Sequence, residues 1–121
     1  MYVSITSFKV KNRWVALLFQ LHALASFFQA RKSKGILRTE TFSPISGVYN
    51  TLTHWESKLD MLKFRNRGAH LKAMKASGKL GYGIATGWET ARYADRDTAT
   101  ERLHSEKGSL ISPDEARYRL D

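Results

Sequence analysis

The sequence predicts one α+β domain, ferredoxin-like, of order β-α-β-β-α-β, with a four-stranded antiparallel sheet and both helices on one face. Three observations predict it. Runs rich in β-branched and aromatic residues fall at residues 2–10, 36–43, 48–56 and 80–90. Helical spacing of apolar residues fills the stretches between the first two runs and between the last two. Nearly every boundary carries a residue whose chemistry starts or stops an element.

The first strand is followed by Asn12, a helix N-cap, and by a helix running to about Lys34. Gly35 stops it after Arg31, Lys32 and Lys34, cations that suit a helix C-terminus. Trp14, Leu17, Leu18, Leu21, Leu24, Ala25 and Phe28 form a stripe at i, i+3, i+4, i+7 spacing. That stripe is expected to be the core face packed on the sheet. Phe19 and Phe27 lie off it, which implies cover on more than one side. Residues 14–30 imitate a membrane span but fall short of about 20 apolar residues and contain Gln20, His22, Ser26 and Gln29. A strand precedes them, unlike the basic start of a signal peptide, so no membrane partner is expected.

Strand two leads into Pro44-Ile45-Ser46-Gly47, turn chemistry that makes a hairpin with strand three. Ser57 caps the second helix, with Asp60 at N3 as an acidic variant of the capping box. That helix is expected to run unbroken to about Ala76, closed by Ser77-Gly78-Lys79, before strand four. Beyond Ala91 apolar residues thin out. The domain is therefore placed at 1–92, and 93–121 is read as a tail of mixed charge, either disordered or with a short helix starting at Ser112-Pro113-Asp114-Glu115.

Side-chain alternation assigns the sheet faces. Tyr49, Thr51, Thr53 and Trp55 point one way, Val48, Asn50, Leu52 and His54 the other. Strand four sends Tyr82, Ile84, Thr86 and Trp88 to one side and Gly81, Gly83, Ala85 and Gly87 to the other, where small residues permit close approach. An aromatic-rich face left outside the helix layer calls for a partner sheet, and a face-to-face homodimer is the simplest one.

Composition bounds the chemistry. Hydrophobic residues at 42% and charged residues at 26% are those of a soluble globular domain. The absence of cysteine excludes disulfides, thiolate metal sites and cysteine nucleophiles, and suits a cytoplasmic protein. His22, His54, His70 and His104 form no tight ligand pair, so no metal site is predicted. Residues 1–91 carry 14 Lys/Arg against four acids, whereas 92–121 carry six against seven. The domain is a basic protein that attracts anions, and a solvated positive surface accounts for this without a ligand.

The runs Thr53-His54-Trp55-Glu56-Ser57, Met61-Leu62-Lys63-Phe64 and Gly68-Ala69-His70-Leu71-Lys72-Ala73-Met74 resemble the signature of the antibiotic-biosynthesis-monooxygenase-like, dimeric α+β-barrel superfamily. Gly87-Trp88-Glu89-Thr90-Ala91 adds to the likeness, which is nearest to the uncharacterised, spheroidene-monooxygenase-like members and spans about residues 2–92. The resemblance implies a small monooxygenase-like homodimer with a cavity between sheet and helices, oxidising a hydrophobic or aromatic substrate. Some members are cofactor-free oxygenases. Others bind haem through a histidine on the second helix.

His70 is the candidate catalytic residue, as proton shuttle or ligand, because it shares a helix face with Leu62, Asn66 and Met74. Trp55, Tyr49, Phe64, Asn66, Met74 and Trp88 are the candidate cavity-lining residues. In the haem-degrading relatives the histidine falls further along the helix, at the position of Met74 here, and His70 stands one turn earlier. No cofactor is therefore required by the sequence, and haem is the one the resemblance raises. Asn50 and His54 share a strand face and are candidates to meet across a pocket.

Two other classes compete. One is a non-catalytic dimeric ligand-binding or interaction protein. The other is a nucleic-acid-binding module, since a basic sheet with exposed aromatics stacks bases, but the basic-Gly-aromatic run of RNA-recognition domains is absent.

Overall fold

β1 (Tyr2–Val10) occupies the middle of the sheet, flanked by β3 (Val48–Trp55) and β4 (Gly81–Glu89), with β2 (Ile36–Phe42) beyond β3. The structure is a computed structural model and describes residues 1–105 and the short strand β5 (Ser109–Leu110). The helices are α1 (Arg13–Arg31), α2 (Lys58–Arg65), α3 (Gly68–Leu80) and α4 (Arg96–Ser105). All strand pairs are antiparallel, with Ile5 opposite Leu52 on one side and Thr86 on the other. The four long strands form the expected ferredoxin-like sheet. β5 extends it to five by pairing Leu110 with Ile84 and Ser109 with Ala85.

Local chemistry sets the boundaries. The Asn12 side chain accepts from the amides of Trp14 and Val15 at 2.9 and 3.1 Å and starts α1. Gly35 and Gly47 hold φ of 86° and 83° in the turns flanking β2, the left-handed region that other residues enter at a cost. Ser57 Oγ accepts from the Asp60 amide, the N-cap expected at α2. Its hydroxyl donates to the Asp60 carboxylate, a bond between side chains in place of the capping box's bond to the Ser57 backbone amide.

Three expectations are corrected. The first concerns α1: the stripe from Trp14 to Phe28 faces outward, each large member about half exposed or more. The opposite arc packs inward instead, with Phe19 stacked on Phe8 at 4.7 Å and against Tyr49 at 4.9 Å. Its small members, Ala16, Ala23, Ser26 and Ala30, let the helix lie close to the sheet. The helix is apolar on nearly every side, so periodicity located two faces and could not rank them.

The second correction is that the long second helix is two helices. The chain turns at Asn66 and Arg67, and Gly68 has φ 63°. Gln29 of α1 fills the break: its amide nitrogen donates to the carbonyls of Phe64 and Arg67 at 3.1 and 2.9 Å, and its oxygen accepts from the His70 amide at 2.8 Å. A side chain about 40 positions away satisfies the helix ends that would otherwise be orphaned. α3 also runs past Ser77-Gly78-Lys79 to Leu80.

The third correction concerns the outer sheet face. Within the chain, Val3, Ile5 and Leu52 are fully buried there by Ala99 and Leu103 of α4, residues that the sequence reading leaves in the tail beyond 92. Arg102 stacks over Trp88 at 4.3 Å, Arg96 over Phe42 at 4.9 Å, and Arg96 pairs with Glu40 at 3.2 Å. The helix foreseen from Ser112 lies outside the described residues.

Candidate functional site

Between the sheet and the layer of α1, α2 and α3 is a cavity of about 530 Å³, within the range of small-molecule sites. Even-numbered residues of β1 and odd-numbered residues of β2 and β3 point into it by strand alternation. Its floor therefore carries six hydroxyl side chains, Ser4, Thr6, Thr39, Thr41, Thr51 and Thr53. Ala85 and Gly87 of β4 complete the floor beside β1 and leave that side open. At Gly87 the missing side chain also makes room for the Tyr2 ring, which any Cβ there would strike. The roof is mostly apolar: Phe19, Ala23 and Phe27 from α1, Met61 and Phe64 from α2, and Met74 from α3.

His70 opens α3 and lines this cavity. Its Nδ1 lies 3.2 Å from the Arg65 carbonyl oxygen. A carbonyl can only accept, so Nδ1 carries the proton and Nε2 keeps the lone pair. Burial, the largest cause, lowers the pKa to about 4; the carbonyl bond pulls it back up and the Arg65 charge lowers it again. The imidazole is neutral at physiological pH. Phe64 packs against its face at 4.7 Å, and Gln29 holds its backbone amide. Ring and main chain are thus both fixed, which is what a positioned acceptor requires.

The other predicted residues separate into two groups. Tyr49, Phe64 and Met74 line the cavity with His70. The Tyr49 hydroxyl accepts from Gln20 at 3.2 Å, so its ring is a positioned wall. Trp55 is fully buried outside the lining, with Nε1 donating to Thr53 at 2.9 Å and its ring 5.1 Å from Phe64. It supports the wall from behind. Asn66 is the exposed C-cap of α2, and Trp88 lies on the opposite sheet face under Arg102. Neither lines the cavity: Asn66 because the helix break removes it from the His70 face, Trp88 because of strand parity.

Asn50 and His54 do not meet, because Leu52 separates them on the face covered by α4. His54 Nε2 accepts from the Ala94 amide at 2.9 Å, and its ring packs on Tyr93 at 4.9 Å. It anchors the start of the α4 segment.

Sequence reasoning missed the hydroxyl floor and most of the roof, the polar His22, Ser26 and Arg65 included. A period-two run of Ser and Thr on one strand face was the available signal. Ser26 Oγ is buried and has no hydrogen-bond partner among the described residues. No group of three His, Asp or Glu side chains able to hold a metal ion occurs among them either.

No protein-family model and no curated protein matches the chain. Solved structures do match it. Rv0793 from Mycobacterium tuberculosis superposes with a TM-score of 0.68 at 13% identity, over 78% of this chain and 100% of that one. A Nitrosomonas europaea protein assigned as an antibiotic biosynthesis monooxygenase gives 0.67 at 11% identity, over 76% and 100%. SnoaB of Streptomyces nogalater, a cofactor-independent oxygenase, gives 0.63 at 13% identity, over 78% and 96%. The fold is that of antibiotic-biosynthesis-monooxygenase-like proteins. No helix among the described residues is long and apolar enough to cross a membrane.

Proposed function

We propose that this protein is a small cofactor-independent oxygenase acting on a hydrophobic aromatic substrate held between sheet and helices. The observation that carries the reading is His70: a neutral imidazole with Nδ1 committed to a backbone carbonyl, on an apolar cavity with a hydroxylated floor. The shared fold with SnoaB supports it.

The chemistry follows from the arrangement. Apolar walls exclude water and take the aromatic rings, while the Ser and Thr hydroxyls orient ring oxygens. A methylene between such rings, or a phenolic OH, would give its proton to His70 Nε2. Since burial holds the pKa of the free imidazole at about 4, the transfer depends on the anion developing beside the ring, whose charge stabilises the imidazolium. The carbanion transfers an electron to O₂ and combines with it as a peroxide. Loss of the remaining C–H proton together with O–O cleavage then gives the ketone and water: R₂CH₂ + O₂ → R₂C=O + H₂O. The substrate supplies all four electrons, so no outside reductant enters. His70 returns the proton to the departing oxygen, and general base catalysis of this kind contributes roughly 10²–10⁴-fold.

Oxygen uptake with an anthrone- or quinol-type substrate tests this. A colourless protein should consume one O₂ per product, and His70→Gln should lower kcat by at least about tenfold. Tight binding without uptake would favour the non-catalytic ligand-binding protein.

The same histidine supports a second reading. A neutral imidazole whose Nδ1–H is held by a carbonyl is the usual state of a metal-bound histidine. His70 would hold haem iron, with Arg65 and Lys58 of the lining beside the carboxylates, and the group would supply O₂ activation. A Soret band lost in His70→Ala would establish it.

Self-association belongs to this proposal too. α4 covers only part of the outer sheet face, and Tyr82 remains 60% exposed beside it. A homodimer across that remainder predicts a dimer mass in solution that Tyr82→Glu reduces to the monomer.

A further inference from the structure

The outward stripe of α1 is not part of the cavity, and no element among the described residues covers it. Trp14, Leu17, Leu18, Leu21, Leu24 and Phe28 are each about half exposed or more, Trp14 at 81%. At 100° per residue they fall within about a third of the helix circumference, so they form one ridge along the 19 residues of α1. Scattered exposed leucines need no explanation, but a continuous ridge of this kind marks an interaction surface.

Charge identifies the partner. No Asp or Glu occurs before Glu40, whereas Lys11, Arg13, Arg31, Lys32 and Lys34 stand at the two ends of α1. Lys72 of α3 lies in the shallow groove beside Leu18, Leu21 and Ala25. Across the whole helix layer, residues 11–34 and 58–80, twelve Lys/Arg face one acid, Asp60. A second copy docked through this ridge would set cations against cations. Antiparallel packing places Arg13 beside Arg31 of the other copy, parallel packing places each against its equal, and α1 itself carries no carboxylate to relieve either. Asp60, beside Gly35 at one end of the helix, is a single acid against the five cations. An anionic lipid surface meets both requirements. It takes the apolar ridge between its acyl chains and pairs the flanking cations with its phosphates. Trp14, stacked under Arg13 at 5.6 Å, has the amphipathic character of a residue at the headgroup level.

We propose that α1 is a peripheral membrane-docking helix that lies flat on anionic lipid through its Trp14–Phe28 ridge. This differs from a membrane span: the ridge is one face, and the opposite face remains packed on the sheet.

Vesicle co-sedimentation of the full chain tests it, with phosphatidylcholine alone and with phosphatidylcholine containing phosphatidylglycerol. Binding should be confined to the anionic vesicles and should move Trp14 emission to the blue, a change absent in Trp14→Phe. Leu17→Ser/Leu21→Ser keeps every charge and touches neither cavity nor core; it should lower partitioning by on the order of a hundredfold. Arg13→Gln/Arg31→Gln/Lys32→Gln should do the same, at about fivefold per cation. Three results overturn the proposal. One is binding that survives Leu17→Ser/Leu21→Ser without a Trp14 shift, which is charge adsorption alone. The second is equal binding to zwitterionic vesicles. The third is a solution dimer dissolved by Leu17→Ser/Leu21→Ser, which makes a second copy the occupant. Retained circular dichroism and thermal unfolding of each variant show that loss of binding is not loss of fold.

Discussion

His70 makes the sharpest prediction, because one measured quantity tests both its tautomer and its burial. The unfolded chain binds a proton at residue 70 near pH 6.5, whereas the folded protein resists it until about pH 4. Stability is therefore unaffected by this group above pH 6.5 and falls as pH drops from 6.5 to 4, since the unfolded state binds more protons across that window. The full difference of about 2.5 pH units corresponds to roughly 3 kcal/mol, reached near pH 4. His54 acts with the same sign, its pKa lowered first by burial and then by the charge of Arg38. The decisive quantity is thus the difference between wild type and His70→Gln. Urea unfolding at intervals from pH 7.5 to 4 should show the wild type losing stability more steeply, with the two curves converging by on the order of 2–3 kcal/mol. A ¹⁵N-edited titration should show a neutral Nδ1-protonated ring down to about pH 5. Titration of His70 near 6.5, or parallel stability curves, would refute the buried, carbonyl-bound imidazole and the role built on it.

Other residues give independent checks. Gln29→Ala removes three hydrogen bonds from the α2–α3 break; at about 1 kcal/mol each, a loss of roughly 2–3 kcal/mol by chemical denaturation is expected. It should also loosen His70, read as a broadened imidazole resonance. Leu103 is fully buried against the outer sheet face, so Leu103→Ala should cost about 2–5 kcal/mol by the same assay. A cost below about 0.5 kcal/mol would mean that α4 does not hold that face. Gly87→Val should displace the Tyr2 ring and intrude on the cavity floor. It is expected to lose about 1–3 kcal/mol in thermal unfolding and to weaken substrate binding together.

The hydroxyl floor explains why the cavity was hard to see in advance. Each of Ser4, Thr6, Thr51 and Thr53 is an ordinary strand residue, and only the pairing of β1 between β3 and β4 gathers them under one roof. Asn66 illustrates the converse. Helical spacing put it on the face of His70, and the turn imposed by Gln29 moved it away. Trp88 shows another limit: alternation put it with the aromatic-rich face outside the helix layer, where α4 meets it, so its place among the cavity-lining candidates was against its own strand parity.

What the sequence by itself determined was local. Asn12, Gly35, Ser57 with Asp60, and the 44–47 turn act through their own or adjacent backbone groups, so their effects are written in the order of residues. The ferredoxin-like strand order, and His70 as the residue to examine, came from the same grammar and the resemblance it carries. Tertiary structure alone decided the rest. It chose which of two apolar faces of α1 is buried, because burial depends on the fit of Phe19 and four small residues to the sheet and not on hydrophobicity. It broke the second helix, because the capping group is a side chain on another element. It brought α4 onto the outer face, because two buried residues, Ala99 and Leu103, suffice when a prepared apolar surface awaits them.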